Sequence, residues 1–203
     1  MILSFISQKG GSGKTTLSVN LAALAANNGV LVAIVDLDPQ ASASAWCAAR
    51  GTDDIRNEAC HPPLLARTLE RLRDAGVALI VIDTPPHNST AAATAIRTSD
   101  FVAVPVRPSS FDLAAVAETA DLIRHTNGRA GAVLNSVPSS TSVSDPAAAF
   151  LAQQNLIVLS RVGQRMAFQH AASTGRGVVE TEPKSKAAEE IVALWNAIKK
   201  RSS

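Results

Sequence analysis

The segment Gln8–Thr16, with the sequence QKGGSGKTT, constrains the fold of this chain more than any other. It lies between an apolar run at residues 2–7 and a stretch that is predicted to be helical from about Lys14 to Asn27. Successive backbone N–H groups in such a turn point inward and the positive end of the following helix adds to them, so the loop can hold phosphate oxygens. Glycines let the backbone approach a phosphate closely. The sequence therefore predicts a strand, a phosphate-binding loop and a helix in succession.

The rest of the chain alternates short apolar runs with longer amphipathic ones. Residues 77–83 are apolar without alternation, which is typical of a strand covered on both faces. Residues 51–63 contain turn-forming residues and are predicted to be a loop. The other predicted strands are residues 30–36, 101–106, 131–135 and 157–159, and the other predicted helices are residues 41–50, 64–75, 89–98, 111–125, 146–154, 164–173 and 185–200. This order predicts one α/β domain over residues 1–203, with a mainly parallel twisted sheet covered by helices on both faces.

Composition excludes several classes of function. Hydrophobic residues make up 46% of the chain and charged residues 18%, which is enough apolar material for a buried core. Aromatic residues are only 3%, which argues against stacked aromatic platforms for single-stranded nucleic acid. No apolar run suits a transmembrane helix, the N-terminus lacks the pattern of a secretion signal, and Cys47 and Cys60 form no CxxC pair. We therefore expect a cytoplasmic protein, and the net charge of +2 neither requires nor excludes nucleic acid.

The phosphate loop departs from the general pattern GxxxxGK[ST] at one position. Gln8 stands at the first glycine position, and a second lysine, Lys9, precedes the two glycines. Lys14 is expected to neutralise charge on the β- and γ-phosphates, and the Thr15 hydroxyl to ligate Mg²⁺. The predicted nucleotide-binding residues of the loop are Gly10, Gly11, Ser12, Gly13, Lys14, Thr15 and Thr16.

Aspartates follow two of the predicted strands. Asp36 and Asp38 come at the end of VLVAIVDLD, and the alternation of a strand places them on the same side. Asp83 ends the apolar run VALIVID, a pattern that indicates a carboxylate holding Mg²⁺ directly or through water. Because ligands of open α/β sheets bind beyond the carboxyl ends of the strands, these aspartates are expected to face the ligand crevice. A helix cap or a turn is the alternative role for the DxDP sequence.

Together these motifs resemble those of the ParA/MinD family of deviant Walker A ATPases. KGGSGKTT is similar to the family's phosphate loop, DLDPQ to its switch I segment and DTPP, from Asp83 on, to its switch II segment, in the family's order. The resemblance implies a P-loop NTPase fold, ATP and Mg²⁺ as cofactors, and a dimer in which Lys9 reaches the phosphates bound by the other subunit. The motifs lie in the first half of the chain.

The resemblance also implies roles for individual residues. Lys9, Lys14 and Asp38 would be the catalytic residues, with Asp38 orienting the attacking water. Thr15, Asp36 and Asp83 would form the metal site, with Asp36 closer to the water shell of the ion. Asn135, at the end of a later predicted strand, would contact the adenine base, for which an amide has one donor and one acceptor. A turn-forming asparagine is the alternative.

Two branches of the family remain open. A ParA-like protein would bind duplex DNA non-specifically through basic residues near the dimer seam and position a plasmid, chromosome or other cargo. The candidate residues are Arg161, Arg165, Arg176, Lys184, Lys186, Lys199 and Lys200. A MinD-like protein would attach to membrane through a C-terminal amphipathic helix. The stripe Ile191, Leu194, Trp195 and Ile198 is expected to pack on the core instead, because only Ser202 and Ser203 follow Arg201.

The chain begins at its first predicted strand, so it looks like the small, ParF-like type without an N-terminal helix-turn-helix. The resemblance then implies a ParB-like centromere-binding protein or a cargo adaptor as the partner that stimulates hydrolysis, and a nucleoid-associated location. A nitrogenase iron-protein relative would need cysteines elsewhere in the chain than Cys47 and Cys60. Dethiobiotin-synthetase-like ligases do not resemble DLDPQ plus Lys9, and a binding module without turnover would lack Asp38.

Overall fold

The computed structural model describes residues 1–138 and 144–202. The strands in this part of the chain are β1 (Ile2–Phe5), β2 (Val32–Asp36), β3 (Ile55–Ala59), β4 (Leu79–Asp83), β5 (Phe101–Val106), β6 (Ala130–Val137) and β7 (Val158–Gly163). They form one seven-stranded sheet in the order β3-β2-β4-β1-β5-β6-β7. Every strand pair in it is parallel. The predicted parallel α/β architecture is confirmed.

Helices cover both faces of the sheet. They are α1 (Lys14–Asn27), α2 (Ser42–Arg50), α3 (Leu65–Asp74), α4 (Ser89–Thr98), α5 (Ser110–His125), α6 (Ser144–Gln153), α7 (Met166–Ser173), α8 (Val178–Thr181) and α9 (Lys186–Ser202). Alternate strand residues enter opposite apolar layers, because successive side chains of a strand point to opposite faces. Leu3 belongs to the apolar layer that includes residues of α1, α2, α7, α8 and α9, whereas Ile2 belongs to the layer that includes residues of α3, α4, α5 and α6.

The C-terminal helix α9 packs as its apolar stripe predicts. Ile191, Leu194 and Ile198 are fully buried in the layer shared with α1, and Trp195 is partly buried beside them. This face therefore belongs to the core. Among the residues that the structure describes, no helix is both long enough and apolar enough to span a membrane.

The prediction of a loop over residues 51–63 is wrong. The structure has β3 there, paired in parallel with β2 at the edge of the sheet. Only Ile55 of the strand's five residues is buried, so IRNEA lacks the apolar run that marks the central strands. Two smaller differences concern β7 and α8. Strand β7, at the other edge of the sheet, extends to Gly163, beyond the predicted residues 157–159. Helix α8 was not predicted, because four residues are too few to show a helical periodicity.

The strand order places a crevice at the carboxyl edge of the sheet. From β1 the chain crosses to β2, which lies on one side of β1. Strand β5 lies on the other side of β1, and the chain reaches it from β4. Ligands of open α/β sheets bind where the winding direction reverses in this way. The phosphate loop after β1 and the loop after β5 therefore flank the same crevice.

Candidate functional site

A cleft of about 450 Å³ opens at this crevice. Eight of the twelve residues predicted to bind nucleotide or metal or to act in catalysis line it, namely Gly10, Gly11, Gly13, Lys14, Thr15, Thr16, Asp38 and Asn135. The other walls are formed by Pro86, Arg107, Ser136, Gly163, Gln164, Arg165, Phe168 and Gln169. The structure thus brings the phosphate loop, the DLDPQ segment and the end of β6 to one cavity.

The backbone of the phosphate loop depends on two of its glycines. Gly11 and Gly13 have φ angles of 69° and 99°, in the left-handed region that favours glycine. A Cβ atom on Gly13 would lie 2.0 Å from Nδ2 of Asn135, so a larger residue at this position does not fit. Asn135 Nδ2 in turn donates a hydrogen bond of 2.7 Å to the Ser12 carbonyl oxygen.

This contact gives Asn135 a position that the sequence did not predict. Its amide nitrogen holds the phosphate loop against the end of β6, and the side chain also lines the cleft. A contact with adenine stays a prediction. One N–H of Nδ2 is engaged by Ser12, which leaves the second N–H and the carbonyl oxygen for a ligand.

Lys14 lies inside the loop that precedes it. Its side chain is buried, and Nζ donates to the carbonyl oxygens of Ser7 at 3.2 Å and Lys9 at 3.3 Å. Burial lowers the pKa of Lys14, and the nearby charges of Asp83 and Asp38 oppose that shift. An ammonium group held by two carbonyls in this way is placed to meet a further anion in the cleft.

The hydroxyl of Thr15 is bound to the carboxylate at the end of β4. Thr15 Oγ1 donates to Asp83 Oδ2 at 2.6 Å, and Ser18 Oγ donates to Asp83 Oδ1 at 3.3 Å. Asp83 is fully buried, and burial raises its pKa to about 7 with a further contribution from the charge of Asp36. The hydrogen bonds from Thr15 and Ser18 and the charge of Lys14 act in the opposite direction.

These oxygens suit a hard cation such as Mg²⁺. Magnesium is usually held by one or two carboxylates together with substrate phosphates and waters. Asp36 and Asp83 face each other in the register of β2 and β4, and Thr15 adds a hydroxyl. Over residues 1–138 and 144–202 no group of three or more His, Cys, Asp and Glu could hold a metal alone. The donor set therefore fits Mg²⁺ that is shared with a phosphate ligand.

The two aspartates of DLDPQ have different surroundings. Asp36 is buried, its Oδ1 accepts the N–H of Asp38, and its Oδ2 accepts both the N–H and the hydroxyl of Ser44. Asp38 is half-buried and lines the cleft, and its Oδ1 accepts the N–H of Gln40. Asp36 thus holds the turn that carries Asp38 to the cavity.

Two buried polar atoms near the loop have no hydrogen-bond partner within the described residues. They are Nε2 of Gln8 and Oγ of Ser12. Leaving a buried polar atom unpaired costs free energy, so a site at this place favours a polar ligand or water. The backbone N–H of His87 donates to the Gln8 carbonyl at 3.3 Å, which ties the DTPP segment to the phosphate loop.

Sequence reasoning missed several residues of the cleft. Ser18 holds Asp83 from one turn beyond Thr15, a spacing of three that places both on the same helix face. Arg107 lies directly after β5, so its position at a strand's carboxyl end was the signal that could have found it. Gln164, Phe168 and Gln169 left no comparable signal, because their approach to the cleft depends on how α7 packs.

The basic residues predicted to bind DNA do not form one patch. Arg165 lines the cleft and is paired with Glu190, and Arg176 lies 3.5 Å from Glu180. Arg161 is exposed on the edge strand β7. The four lysines are exposed at opposite ends of α9, with Lys184 and Lys186 at its start and Lys199 and Lys200 in its last turn. At 1.5 Å per residue these two pairs are about 20 Å apart.

A family model described as the CobQ/CobB/MinD/ParA nucleotide binding domain matches residues 3–178. Among curated proteins, a maintenance of carboxysome distribution protein A from Gloeobacter kilaueensis is 45% identical over 125 residues, covering 58% of this chain and 54% of that protein. The chromosome-partitioning ATPase Soj of Thermus thermophilus is 31% identical over 144 residues, covering 57% and 58%. The matches thus span little more than half the length of these two relatives.

A second maintenance of carboxysome distribution protein A, from Halothiobacillus neapolitanus, is 28% identical and matches 97% of this chain and 95% of its own. Among solved structures, the cell division ATPase MinD of Pyrococcus furiosus superposes with a TM-score of 0.79 at 21% identity, covering 98% of both chains. An ATP complex of a Cyanothece McdA variant superposes with a TM-score of 0.77 at 15% identity, covering 98% of this chain and 96% of that one. At these identities the superpositions establish the fold.

Proposed function

The chain belongs to the CobQ/CobB/MinD/ParA nucleotide-binding family, and we propose that it is a ParA-like ATPase that dimerises with ATP and binds duplex DNA without sequence preference. The observation that carries this proposal is the contrast between two lysines of one loop. Lys14 is 6% exposed and its Nζ donates to the Lys9 carbonyl oxygen within the loop. Lys9 is exposed and has no ion-pair partner among the residues described. One lysine serves the nucleotide of its own subunit, and the other is free to reach a second subunit.

Within one subunit, Lys14 and the backbone N–H groups of Gly10, Gly11 and Gly13 bind the phosphates. Thr15, Asp36 and Asp83 hold Mg²⁺, directly or through its waters, and the ion supplies charge neutralisation at the phosphates. Thr15 and Asp83 already contact each other, so the chain brings this donor pair together without a large rearrangement.

Asp38 orients the water that attacks the terminal phosphate. It is the one DLDPQ carboxylate that lines the cleft, and Asp36 fixes its backbone through a hydrogen bond of 3.0 Å to its N–H. Hydrolysis by the chain alone is slow, because phosphoryl transfer depends on charge stabilisation that a lone subunit supplies only in part. Lys9 of a second copy, together with a stimulating partner, completes that stabilisation.

Non-specific DNA binding follows from dimerisation when the basic residues of two subunits meet. Glu190 connects the start of α9 to the cleft by accepting from Gly163 N–H and pairing with Arg165. Lys184 and Lys186 lie at this end of α9, and they are the exposed lysines placed to couple DNA binding to nucleotide. Contacts with DNA phosphates carry no information about base sequence. Because they release counterions from the DNA, the complex weakens steeply as the salt concentration rises.

The partner and the cargo belong to the same proposal. A ParB-like centromere-binding protein or a cargo adaptor stimulates hydrolysis, and the protein locates to the cytoplasm on the nucleoid. Relatives named for carboxysome distribution and for chromosome partitioning support a role in positioning a large cargo. Residues 1–203 act as one domain, in agreement with two apolar layers that share one sheet. Ile191, Leu194 and Ile198 are buried, so that face of α9 does not serve as a membrane anchor.

The test is a gel-shift assay on duplex DNA of arbitrary sequence, with ADP, ATP and a non-hydrolysable ATP analogue. We expect retardation with ATP and the analogue, none with ADP, and loss of the complex as salt rises. A Lys184→Ala, Lys186→Ala double variant is compared with Lys199→Ala, Lys200→Ala, and the first is expected to bind DNA more weakly. Retardation independent of nucleotide, or binding to anionic vesicles in place of DNA, would contradict the proposal.

A further inference from the structure

Arg107 lies against the phosphate loop and has no acidic partner in residues 1–138 and 144–202. A Cβ atom on Gly11 would be 3.3 Å from a terminal nitrogen of the Arg107 guanidinium, so this glycine allows the arginine to approach the loop backbone. The side chain is exposed and lines the cleft together with Lys14 and Asp38. Within the described residues it makes no ion pair.

The surroundings of Arg107 are already positive. Lys14 lies in the same cleft, and the loop leads into α1, whose first turn presents unpaired N–H groups and the positive end of the helix dipole. A guanidinium placed beside these groups is repelled by them unless an anion lies between them. The cleft's other arginine differs in this respect, because Arg165 is neutralised by Glu190.

The chain around Arg107 is well fixed. Arg107 directly follows β5, which pairs with β1 beside the start of the phosphate loop. Pro108 comes next and restricts the backbone of the residue before it to extended conformations. Ser109 then caps α5 by accepting the N–H of Asp112. The arginine is therefore carried on a stiff connection at the carboxyl edge of the sheet.

We propose that Arg107 is a further phosphate-binding residue, which contacts the terminal phosphate of the nucleotide in its own subunit. This inference rests on the proposed function and adds a residue to it. Lys14 Nζ turns back towards the Lys9 carbonyl, and a phosphate-loop lysine of this kind serves the β- and γ-phosphates. Gly11, which the Arg107 guanidinium approaches, lies between Lys9 and Lys14 in the loop. Arg107 therefore faces the same part of the loop as the Lys14 ammonium group. An arginine whose fork contacts the γ-phosphate distinguishes ATP from ADP, because ADP lacks that phosphate.

Calorimetric titration of Mg·ATP analogue and Mg·ADP into wild-type protein and Arg107→Gln tests this. Loss of one charged hydrogen-bonding group is expected to weaken binding of the analogue about 10-fold or more and to change binding of ADP less than about 2-fold. Arg107→Lys is expected to recover part of the loss, since it keeps the charge without the fork. Arg67→Gln, an exposed arginine of α3 outside the cleft, is the matched control and should bind like wild type.

Two comparisons separate this inference from the proposed function. If wild type fails to bind either nucleotide, or Lys14→Ala binds both normally, the proposed function fails. If Lys14→Ala loses binding but Arg107→Gln matches wild type or loses ATP and ADP equally, only the role of Arg107 is overturned. The titrations are repeated in the Lys9→Ala background. This variant is expected to remain a single chain, so dimerisation does not contribute to its affinity for ATP. A selective loss that persists there supports a direct phosphate contact, and one that disappears contradicts it.

Discussion

Thr15 Oγ1 donates a hydrogen bond of 2.6 Å to Asp83 Oδ2 and so joins the first turn of α1 to the end of β4, 68 positions along the chain. Ser18 contacts the other oxygen of the same carboxylate. Asp83 is fully buried and Thr15 is partly buried, and the contact fixes the distance between the phosphate loop and the end of β4. The hydroxyl and the carboxylate proposed to bind Mg²⁺ are therefore brought together by the contact of α1 with β4.

Substitution of Asp83 is expected to remove the dependence of nucleotide binding on magnesium. Asp83→Asn keeps an acceptor for Thr15 but loses the charge that a hard cation requires. We expect the gain in ATP affinity on adding Mg²⁺ to fall at least about 10-fold, while affinity in EDTA changes little. Titrations with and without Mg²⁺ measure this. Ser18→Ala is the control, and an equal loss in that variant would show that hydrogen bonding rather than charge is responsible.

Two glycines of the phosphate loop are expected to respond differently to alanine. In Gly13→Ala the new methyl group meets Asn135 Nδ2, and the φ angle of 99° is costly for any residue with a Cβ. We expect a loss of about 2 kcal/mol or more in the free energy of unfolding. Gly10→Ala, where a Cβ has nothing within 4 Å, should lose less than about 1 kcal/mol. Denaturant unfolding measures both, and equal losses would exclude Asn135 as the cause.

Loss of Asp38 is expected to hold the protein in its ATP form. Without the carboxylate that orients water, hydrolysis should fall about 100-fold or more while nucleotide binding persists. The Asp38→Ala protein should then remain on DNA after ATP is added, as measured by phosphate release and by the lifetime of the gel-shift complex. Glu70→Ala, an exposed acid on α3, serves as the control. Phosphate release from Asp38→Ala at the wild-type rate would remove Asp38 from the mechanism.

An ion-pair network centred on the buried Arg50 joins α2 to the segment between α7 and α9. Arg50 is 5% exposed and donates to Asp54, to Glu180 and to the Gly175 carbonyl. Hydrogen bonds from Arg50 lower the pKa of Asp54. Burial acts to raise the pKa of Glu180, but hydrogen bonds from Arg50 and the Gly177 N–H outweigh it and the pKa is lowered.

This network is expected to make stability depend on acid pH. A carboxylate with a lowered pKa stabilises the fold above its unfolded value, near 4, and loses that contribution as pH falls through the folded value. Glu180→Gln should therefore cost about 2 kcal/mol at pH 7 and less at pH 3. Denaturant unfolding at both pH values checks this. A cost that is the same at the two pH values would mean that the charge of Glu180 contributes nothing.

The sequence predicts those features that are encoded locally. The loop glycines, Lys14 and the strand-ending Asp83 follow from neighbouring residues, and the bounds of α1 and α4 are those predicted. Strand β3 was missed because an edge strand needs only one buried residue, which gives no pattern to read. The end of β5 could have pointed to Arg107, but its contact with Gly11 has no local signal because it exists only once β1 and β5 are adjacent.

The predicted DNA-binding set shows the same limit. Whether an arginine is available for a ligand depends on its partner, and the partner of Arg165 is Glu190, which lies on α9, 25 positions away. Counting basic residues along the chain does not reveal this pairing. Lys184 and Lys186, at the cleft end of α9, are exposed, and their contact with DNA stays a prediction.

The proposed ATP dimer depends on Lys9 acting in trans, and the mass of the nucleotide-loaded protein reveals whether such a dimer forms. Light scattering on protein with Mg²⁺ and a non-hydrolysable ATP analogue should give twice the 21.1 kDa of one chain for wild type, and a single chain with ADP. Lys9→Ala should bind the analogue and remain a single chain. A wild-type protein that stays at 21.1 kDa with the analogue, or a Lys9→Ala protein that dimerises as wild type does, would contradict the account.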